Sequence, residues 1–494
     1  MTRSEKRCFL LACGLRLLMV AFVQAGHGAG GPGAPAAFAV WGGDTFSYLD
    51  PIENLLRQGT YAQDLARLET YAGRTPGYGV VYGALRLALS PGLAADALML
   101  LQVAISLLAL YCLGRLAQAA TRHQLAFRWT VVVFALNTFT TGFDVRVLTE
   151  SFATSALIIG SYTLVQAWER PSAFAQLRAG AWLGWAVFLR PFLAPLLLLL
   201  LVGTAVAALR RASWQRALGQ ALLLALPLLL ADGAWMGRNW RWYQRLVPLQ
   251  SNVWAGYRTA PALAEASRFV GVIGEEPTWW QPSSDIAWLY QTGPTRPNPF
   301  AVQPRKLAPP AYTADSLQRV RQLLTLAQDS RHPQPLRQQA AARAGFALRR
   351  YGTAYQRLRP LQAYLVTPVR LGYALALAHP SDYLYAHPFA ELTSGQKAAK
   401  IAAHLWYLAL VGLGLLGLLC AGWPPNLAAG LVHAVPIYLF VLLCGILHQV
   451  EFRYFAVGYP FVVVSAVGLL LRSWPRFKAG LGPVRRPETN AVAR

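Results

Sequence analysis

Apolar residues occur in blocks long enough to cross a lipid bilayer, and this constrains the fold more than any other feature of the chain. A bilayer core needs about 20 apolar residues per helix. We therefore predict an all-α polytopic membrane protein with about 10 transmembrane helices, within a range of roughly 9–12 because several blocks are short or adjacent. The blocks occupy residues 8–25, 95–118, 129–143, 150–168, 179–190, 191–209, 216–235, 401–421, 427–447 and 454–472.

The composition agrees with this prediction. Hydrophobic residues make up 55% of the 494 residues and charged residues only 13%, with a mean hydropathy of +0.34. A soluble protein of ordinary composition carries about twice that share of charge. The first block could instead be a cleaved signal peptide, although Arg16 within it argues for an uncleaved anchor.

Lysine and arginine in the short loops predict the orientation, because cytoplasmic loops of membrane proteins are enriched in both. The bias predicts that the N- and C-termini are cytoplasmic. We divide the chain into an N-terminal membrane module at 1–235, with about seven spans and a catalytic first outer loop at 27–93, then a large extracytoplasmic segment at 236–398. A C-terminal membrane module at 399–494 follows, with about three spans and a basic cytoplasmic tail.

The net charge of +24 invites a nucleic-acid interpretation, which we set aside because no nucleic-acid motif accompanies it. A basic surface beside a bilayer suits anionic headgroups or a phosphate-bearing lipid. All five cysteines lie in or beside apolar blocks, so the outer segments contain none to cross-link. This favours a bacterial inner membrane, with the outer face in the periplasm.

The first outer loop presents one conspicuous carboxylate. Asp44 follows two glycines and precedes a stretch, Phe46 to Leu56, whose apolar residues recur at helical spacing. This predicts an amphipathic helix on the membrane surface, with Tyr48 and Asn54 as polar members of interest. The simplest alternative is that Asp44 only caps that helix.

Further polar groups interrupt the apolar pattern at predicted span ends. Ionisable groups at such boundaries are costly unless paired or functional. With the predicted topology they all fall on the same outer face, although the acidic and basic residues between 144 and 150 could merely tie a helix hairpin. We predict that Glu150 is catalytic. The residues predicted to bind substrate, together with Tyr48 and Asn54, are Arg74 and Tyr78, Asp144 and Arg146, Arg190, Arg238 and Asn239, and Glu451, Arg453 and Tyr454.

The order of these motifs resembles that of the type C (GT-C) glycosyltransferases, nearest to the protein O-mannosyltransferase and aminoarabinose transferase branch. The resemblance implies a polytopic fold, a sugar donor carried on a polyprenyl phosphate, and an essential acidic residue in the first outer loop, which Asp44 matches. It also implies a second acidic residue near the start of the fourth span, for which Glu150 is the best match and Asp144 the rival. Thr45 stands where protein O-mannosyltransferases usually have glutamate, which departs from the protein-acceptor branch.

The resemblance and the residue types together predict transfer of the sugar to an acceptor hydroxyl with inversion. Asp44 would be the general base, and arginines would hold the lipid phosphate, with Arg74, Arg146, Arg238 and Arg453 as candidates. Mg²⁺ or Mn²⁺ held by Asp44 and Glu150 is left open. The predicted partners are the polyprenyl-phosphate sugar donor, a glycan, lipid or protein acceptor, and membrane lipids, with no nucleic acid.

Three other functions stay open at this stage. A transporter or flippase of lipid-linked sugars would share the spans and the outer charges, although no internal repeat is evident. A non-catalytic membrane scaffold would keep the fold with an idle site. A lipid-linked oligosaccharide polymerase or ligase is disfavoured by the carboxylate motif of the first loop.

Overall fold

The computed structural model is all-helical throughout the part of the chain that it describes. That part comprises residues 1–27, 38–42, 44–66, 68–209, 213–250, 260–273, 312–329, 331–377, 383–422, 424–448 and 451–480. The α-helices are α1 Arg3–His27, α2 Thr45–Gln58, α3 Pro76–Arg86, α4 Pro91–Thr121, α5 Gln124–Ala135, α6 Thr138–Asp144, α7 Glu150–Glu169, α8 Ala173–Leu189, α9 Ala194–Leu209, α10 Trp214–Tyr243, α11 Ala260–Ile273, α12 Ala314–Gln328, α13 Gln334–Leu358, α14 Thr367–Ala376, α15 Ser394–Cys420, α16 Leu427–Phe440, α17 Phe452–Phe455 and α18 Tyr459–Gly480.

Five of these helices are long and apolar enough to cross a membrane. They are α1, α4, α10, α15 and the continuous helix Leu427–Ile446, in which α16 is extended by a π-helical turn. Shorter apolar helices cover Gln124–Ala135, Pro191–Val206 and Tyr459–Ser473. The chain is therefore a helical integral membrane protein, and the count of about 10 spans stays a prediction.

Three predicted blocks differ from the helices observed. The block at 454–472 is interrupted between α17, which ends at Phe455, and α18, which begins at Tyr459. The block at 129–143 is broken at Asn137, whose side chain caps α6 by accepting from the backbone N–H of Thr140 at 3.1 Å. The block at 216–235 ends too early, because α10 runs on to Tyr243. Arg238 and Asn239 thus lie on the last turns of this helix and do not follow it.

Close packing of the membrane helices depends on glycine at particular crossings. A Cβ atom on Gly180 of α8 would collide with the backbone carbonyl of Leu224 in α10. Gly414 of α15 is pressed in the same way against Val462 of α18. Small residues at such crossings let the helix backbones approach closely. In a membrane this matters because the hydrophobic effect does not drive helices together, so their association relies on close van der Waals contact.

The long segment at 236–398 builds a second, smaller hydrophobic core. Helices α11, α12 and α13 pack around buried side chains that include Phe269, Leu324 and Leu348. The spacing of apolar residues from Thr313 to Ala378 predicts helices, and α12 to α14 are observed there. The sequence also offers aromatic residues in this segment for apolar contact with sugar rings. They are Trp254, Tyr257, Trp279, Trp280, Trp288 and Tyr290, and they lie outside the described residues.

A buried ion pair joins four of the membrane helices. Arg16 of α1 donates to the Asp144 carboxylate at the end of α6 at 2.7 Å, and both side chains are 2% exposed. Asp144 also accepts from the hydroxyls of Ser106 in α4 at 3.0 Å and Ser151 in α7 at 2.6 Å. Both charges of this pair are thus compensated and hydrogen-bonded, the condition under which burial is tolerated.

This ion pair makes a prediction about stability. Asp144→Asn should destabilise the protein by about 3–5 kcal/mol, because it leaves the Arg16 cation buried without a counter-charge. The double replacement Arg16→Met with Asp144→Leu should recover most of that loss. Thermal unfolding of the purified protein in detergent measures both effects.

A matched control is Arg115→Gln, which breaks a looser pair between Arg115 of α4 and Glu5 of α1. That pair is 3.4 Å long, and Glu5 keeps its hydrogen bond from the Thr2 backbone N–H at 2.8 Å when the arginine is lost, so the expected loss is smaller, about 1 kcal/mol. Equal losses for Asp144→Asn and Arg115→Gln would show that the Arg16–Asp144 pair has no special structural role.

Candidate active site at the ends of the membrane helices

Asp44 is positioned by pairing between the first loop and the chain just before α7. The backbone N–H of Val40 donates to the carbonyl of Val145 at 2.9 Å, and the N–H of Val147 donates back to Val40 at 3.0 Å. The Thr45 hydroxyl then donates to the carbonyl of Val147 at 3.0 Å. These bonds place Asp44 next to the start of α7, where Glu150 lies.

The Asp44 side chain does not cap α2, although it directly precedes the helix. Its carboxylate instead forms an ion pair with Arg453 at 2.6 Å and faces the Arg74 guanidinium at 3.8 Å. The simple capping interpretation left open by the sequence is therefore wrong.

The segment Arg74-Thr75-Pro76-Gly77-Tyr78 packs against the end of α8. The Thr75 hydroxyl donates to the carbonyl of Phe188, and the Trp185 indole N–H donates to the carbonyl of Gly77 at 3.0 Å. A Cβ on Gly77 would lie 2.9 Å from the Phe188 carbonyl oxygen, so this approach requires glycine. Arg74 is thereby aimed at Tyr48, whose ring lies 4.4 Å from the guanidinium carbon.

Glu150 begins α7 and lies deepest among the acidic groups, with a side chain that is 0% exposed. Its carboxylate forms an ion pair with Arg190, which directly follows α8, and lies 3.8 Å from Arg453 Nε. The Arg190 guanidinium in turn lies 5.1 Å from the ring of Tyr454. Because both partners are buried, the attraction between them offsets the cost of removing them from water only if they stay in close, well-aligned contact.

Arg453 is the centre of the arrangement. It lies on the short helix α17 and contacts three carboxylates, those of Asp44, Glu150 and Glu451. The ring of Tyr454 lies 5.6 Å from its guanidinium carbon. A planar guanidinium suits this position because it can donate in several directions at once and stays ionised.

We call the six ionisable residues that meet here the charge cluster: Asp44, Glu150, Glu451, Arg74, Arg190 and Arg453. The three carboxylates and three guanidiniums balance in formal charge. Exposure falls from 32% for the Asp44 side chain to 18% for Arg453 and 0% for Glu150. Asp44 is thus the carboxylate that an incoming substrate can reach.

The environment shifts the pKa of two of these acids in opposite directions. Burial by itself would raise the pKa of Asp44, but the guanidiniums of Arg453 and Arg74 outweigh it and hold that pKa below its ordinary value. For Glu451 burial is the stronger influence and raises the pKa, although Arg453 and Arg190 oppose it. Asp44 is therefore held in its ionised form more firmly than Glu451.

Several residues predicted to bind substrate lie outside the charge cluster and are occupied by structural contacts. Asp144 pairs with Arg16, as described above. Arg146 donates to the carbonyls of Gly142 at 2.6 Å and Tyr383 at 3.3 Å. Asp144, Arg146 and Glu150 therefore do not pair with one another to tie a helix hairpin. Asp144 pairs with Arg16, Glu150 pairs with Arg190, and Arg146 donates to backbone carbonyls.

Arg238, Asn239 and Asn54 also hold backbone in place. Arg238 donates to the carbonyls of Tyr61 and Tyr71, and Asn239 donates to that of Val247 at 3.1 Å. Asn54 donates to the carbonyl of Ala62 at 2.7 Å, which closes the loop after α2. These contacts fix the loop between α2 and α3 against α10.

Tyr48, Tyr78 and Tyr454 line the charge cluster at different depths. The Tyr48 and Tyr78 rings meet edge to face at 5.7 Å, but the Tyr78 hydroxyl is committed to Gln102 at 2.8 Å in the buried layer. Tyr48 accepts from Arg74 at 3.3 Å. The Tyr48 and Tyr454 rings therefore lie beside the two arginines that face the reachable acid, at 4.4 Å from Arg74 and 5.6 Å from Arg453.

Two residues that the sequence did not single out contribute to this region. Gln102 of α4 donates to the carbonyls of Asp144 at 3.0 Å and Arg146 at 2.8 Å, so it supports the irregular backbone before Glu150. The ring of Tyr383 lies 4.5 Å from the Arg146 guanidinium carbon and 5.3 Å from the Phe452 ring. A glutamine inside an apolar span is a usable sequence signal, whereas Tyr383 lies in a loop with none.

The charge cluster does not fit the Mg²⁺ or Mn²⁺ site that the sequence left open. Each carboxylate proposed as a ligand, Asp44 and Glu150, already faces two guanidiniums. Within the described residues there is no group of three His, Cys, Asp or Glu side chains suited to a metal. A divalent ion placed there would lie against the cationic Arg453, with too few oxygen ligands.

Comparison with known structures finds two similar chains, both of an archaeal oligosaccharyltransferase from Archaeoglobus fulgidus. One is AglB in complex with an inhibitory peptide and a dolichol-phosphate, at 13% identity and a TM-score of 0.47, covering 98% of this chain and 53% of that chain. The other is the apo form, at 11% identity and a TM-score of 0.47, covering 98% and 52%. This chain thus spans about half the length of those proteins. No family model and no curated protein matches it.

The lowered pKa of Asp44 makes a prediction about coupling to Arg74. A group whose pKa is lower in the folded than in the unfolded state stabilises the fold above its unfolded pKa and loses that contribution as the pH falls through its folded pKa. A double-mutant cycle between Arg74→Gln and Asp44→Asn should therefore show a stabilising coupling at about pH 7 that shrinks once the pH falls below the ordinary aspartate pKa of about 3.9 and through the lower folded pKa. Thermal unfolding over a series of falling pH values measures it, and a coupling independent of pH would contradict the assignment.

A second prediction concerns metal. Titration of the purified protein with Mn²⁺, followed by electron paramagnetic resonance, should give the same binding curve for the native protein and for Asp44→Asn with Glu150→Gln, because arginines already neutralise both acids. A site lost in the double variant would show that these carboxylates do hold a divalent ion.

Proposed function

We propose that this protein is a membrane glycosyltransferase that moves a sugar from a polyprenyl-phosphate donor to an acceptor hydroxyl at the extracytoplasmic face. The observation that carries the proposal is the reachable, ionised Asp44 held beside three buried or half-buried arginines. A base next to an anion-binding group is what this reaction needs, since a hydroxyl must lose a proton while a phosphate departs. The resemblance of the motif order to type C glycosyltransferases agrees with it.

In this reaction the acceptor oxygen attacks the anomeric carbon of the sugar. The carbon–oxygen bond to the phosphate breaks, the electron pair leaves with the polyprenyl phosphate, and the hydroxyl proton passes to Asp44. Attack from the side opposite the phosphate inverts the anomeric centre. A general base of this kind contributes about 100-fold to 10,000-fold to the rate.

The arginines explain how an acid with a lowered pKa can act as a base. Arg453 and Arg74 hold Asp44 ionised, and they are also the guanidiniums best exposed to pair with a lipid phosphate. When they turn towards the phosphate, Asp44 loses part of their stabilisation and becomes a stronger base. Binding of the donor would thus activate the acid that takes the proton.

Glu150 has a different role in this proposal from the catalytic one first considered. Its side chain is fully buried and faces Arg190 and Arg453, so it acts through them as a positioning residue. By fixing both guanidiniums it keeps the phosphate-binding charges preorganised, which is the main electrostatic contribution that a protein can make to such a step.

The test is consumption of the donor. Purified membranes carrying the native protein, Asp44→Asn or Asp50→Asn are given polyprenyl-phosphate sugars and an envelope extract, and the lipids are followed by mass spectrometry. The native protein should consume one donor, and Asp44→Asn should be slower by about 100-fold to 10,000-fold while still binding it. Asp50→Asn is the matched control, because it makes the same chemical change on the adjoining helix α2.

The other outcomes separate the alternatives. Full transfer by Asp44→Asn would refute Asp44 as the base. A native protein that moves a donor between leaflets without consuming it would be a transporter or flippase. No donor consumed or moved by the native protein would favour the scaffold interpretation.

A further inference from the structure

A row of large apolar side chains is left uncovered between α13 and α14. It begins at the end of α13, crosses the π-helical turn Gln362–Val366, and continues along α14. We call the stretch from Leu358 to Tyr373 the exposed strip. Six of its side chains are more than half exposed: Leu358, Leu361, Tyr364, Leu365, Val369 and Tyr373.

The exposed strip packs against the end of a membrane span. Gly372 of α14 lies directly on the ring of Phe440, and the carbonyl of Ala363 meets the His448 imidazole at 3.3 Å. Phe440 and His448 bracket the last turn of the spanning helix Leu427–Ile446. The strip therefore lies at the depth where a bilayer core gives way to headgroups, at the same end of that helix as the charge cluster.

The chain segment that carries the exposed strip has formal charges of one sign only, although Arg349 within it pairs with Glu265 of α11. Between residues 330 and 381 the sequence has eight arginines and no aspartate or glutamate. Arg357 directly precedes the strip and Arg370 lies within it, and both are exposed, as is Arg359. Tyr364 and Tyr373 lie within the row, and aromatic side chains with a polar tip favour the boundary between hydrocarbon and water.

We propose that the exposed strip docks into the leaflet on the side of the charge cluster and binds the phosphates of anionic phospholipids. The apolar row enters the boundary between acyl chains and headgroups, and Arg357 and Arg370 pair with lipid phosphates. An apolar face at bilayer depth and a surrounding segment without acidic residues fit an anionic lipid surface better than an acidic protein, which would not use the apolar row.

The contact should be visible by direct capture of lipid. The full-length protein carrying a benzophenone-bearing phenylalanine in place of Tyr364 is reconstituted into nanodiscs of phosphatidylcholine and phosphatidylglycerol in equal parts. After illumination, mass spectrometry identifies what is attached at that position. The proposal expects lipid adducts in which phosphatidylglycerol exceeds its share of the bilayer.

The arginines are tested in the same protein. Each arginine near the surface of an anionic leaflet should enrich phosphatidylglycerol by up to about 5-fold. Arg357→Gln with Arg370→Gln should therefore lower the enrichment markedly, with Arg359 as the remaining exposed arginine of the strip. The matched control, Arg319→Gln with Arg343→Gln, removes two exposed arginines from α12 and the first half of α13 and should leave the enrichment unchanged.

Three results would overturn the proposal: no lipid adduct at position 364, adducts at bulk composition in the unaltered background, or equal loss of enrichment in both double variants. Asp44→Asn should keep the enrichment, because lipid capture needs no turnover. The membrane contact and the proposed glycosyl transfer can therefore fail separately.

Discussion

The buried ion pair between Arg16 and Asp144 is the interaction on which the rest of the structure depends. A charge in an apolar bundle is tolerated only with a partner and satisfied hydrogen bonds. The chain between α6 and α7 is irregular, and its carbonyls would be equally costly to bury without donors. Gln102 from α4 supplies those donors, while Arg16 neutralises the Asp144 carboxylate. The charge cluster is built on the backbone that these two side chains hold.

The charge cluster joins segments that are far apart in the chain. Its residues come from the first loop, the turn before α3, the starts or ends of α7 and α8, and the short helix α17. Each of its three carboxylates lies beside at least one guanidinium. This explains how three acidic side chains can share a poorly solvated region. A site balanced in this way can accept an anionic group only by repartnering its arginines, and that exchange is what links phosphate binding to the basicity of Asp44 in our proposal.

The exposed strip and the charge cluster are related by the helix between them. The span Leu427–Ile446 carries α14 at its end and is followed by α17, on which Arg453 lies. A substrate with a lipid tail and a charged head would meet an arginine-flanked membrane boundary and an arginine-rich site on the same face. Both proposals therefore concern one face of the protein. There, apolar side chains would fix how deeply the exposed strip enters the leaflet, and arginines would favour anionic headgroups and phosphates.

The sequence by itself determined that the chain is helical and membrane-embedded, because backbone in hydrocarbon must satisfy its own hydrogen bonds and long apolar blocks leave few alternatives. It also picked out the polar groups at the block ends, since charge in that setting is rarely accidental. Only the tertiary structure decided the partner of each one. Asp44 pairs with Arg453 and does not cap the helix that follows it, Asp144 pairs with Arg16, and Arg238 donates to backbone carbonyls. Helical periodicity fixes neighbours within a segment, but such pairings depend on distances between segments that only packing sets.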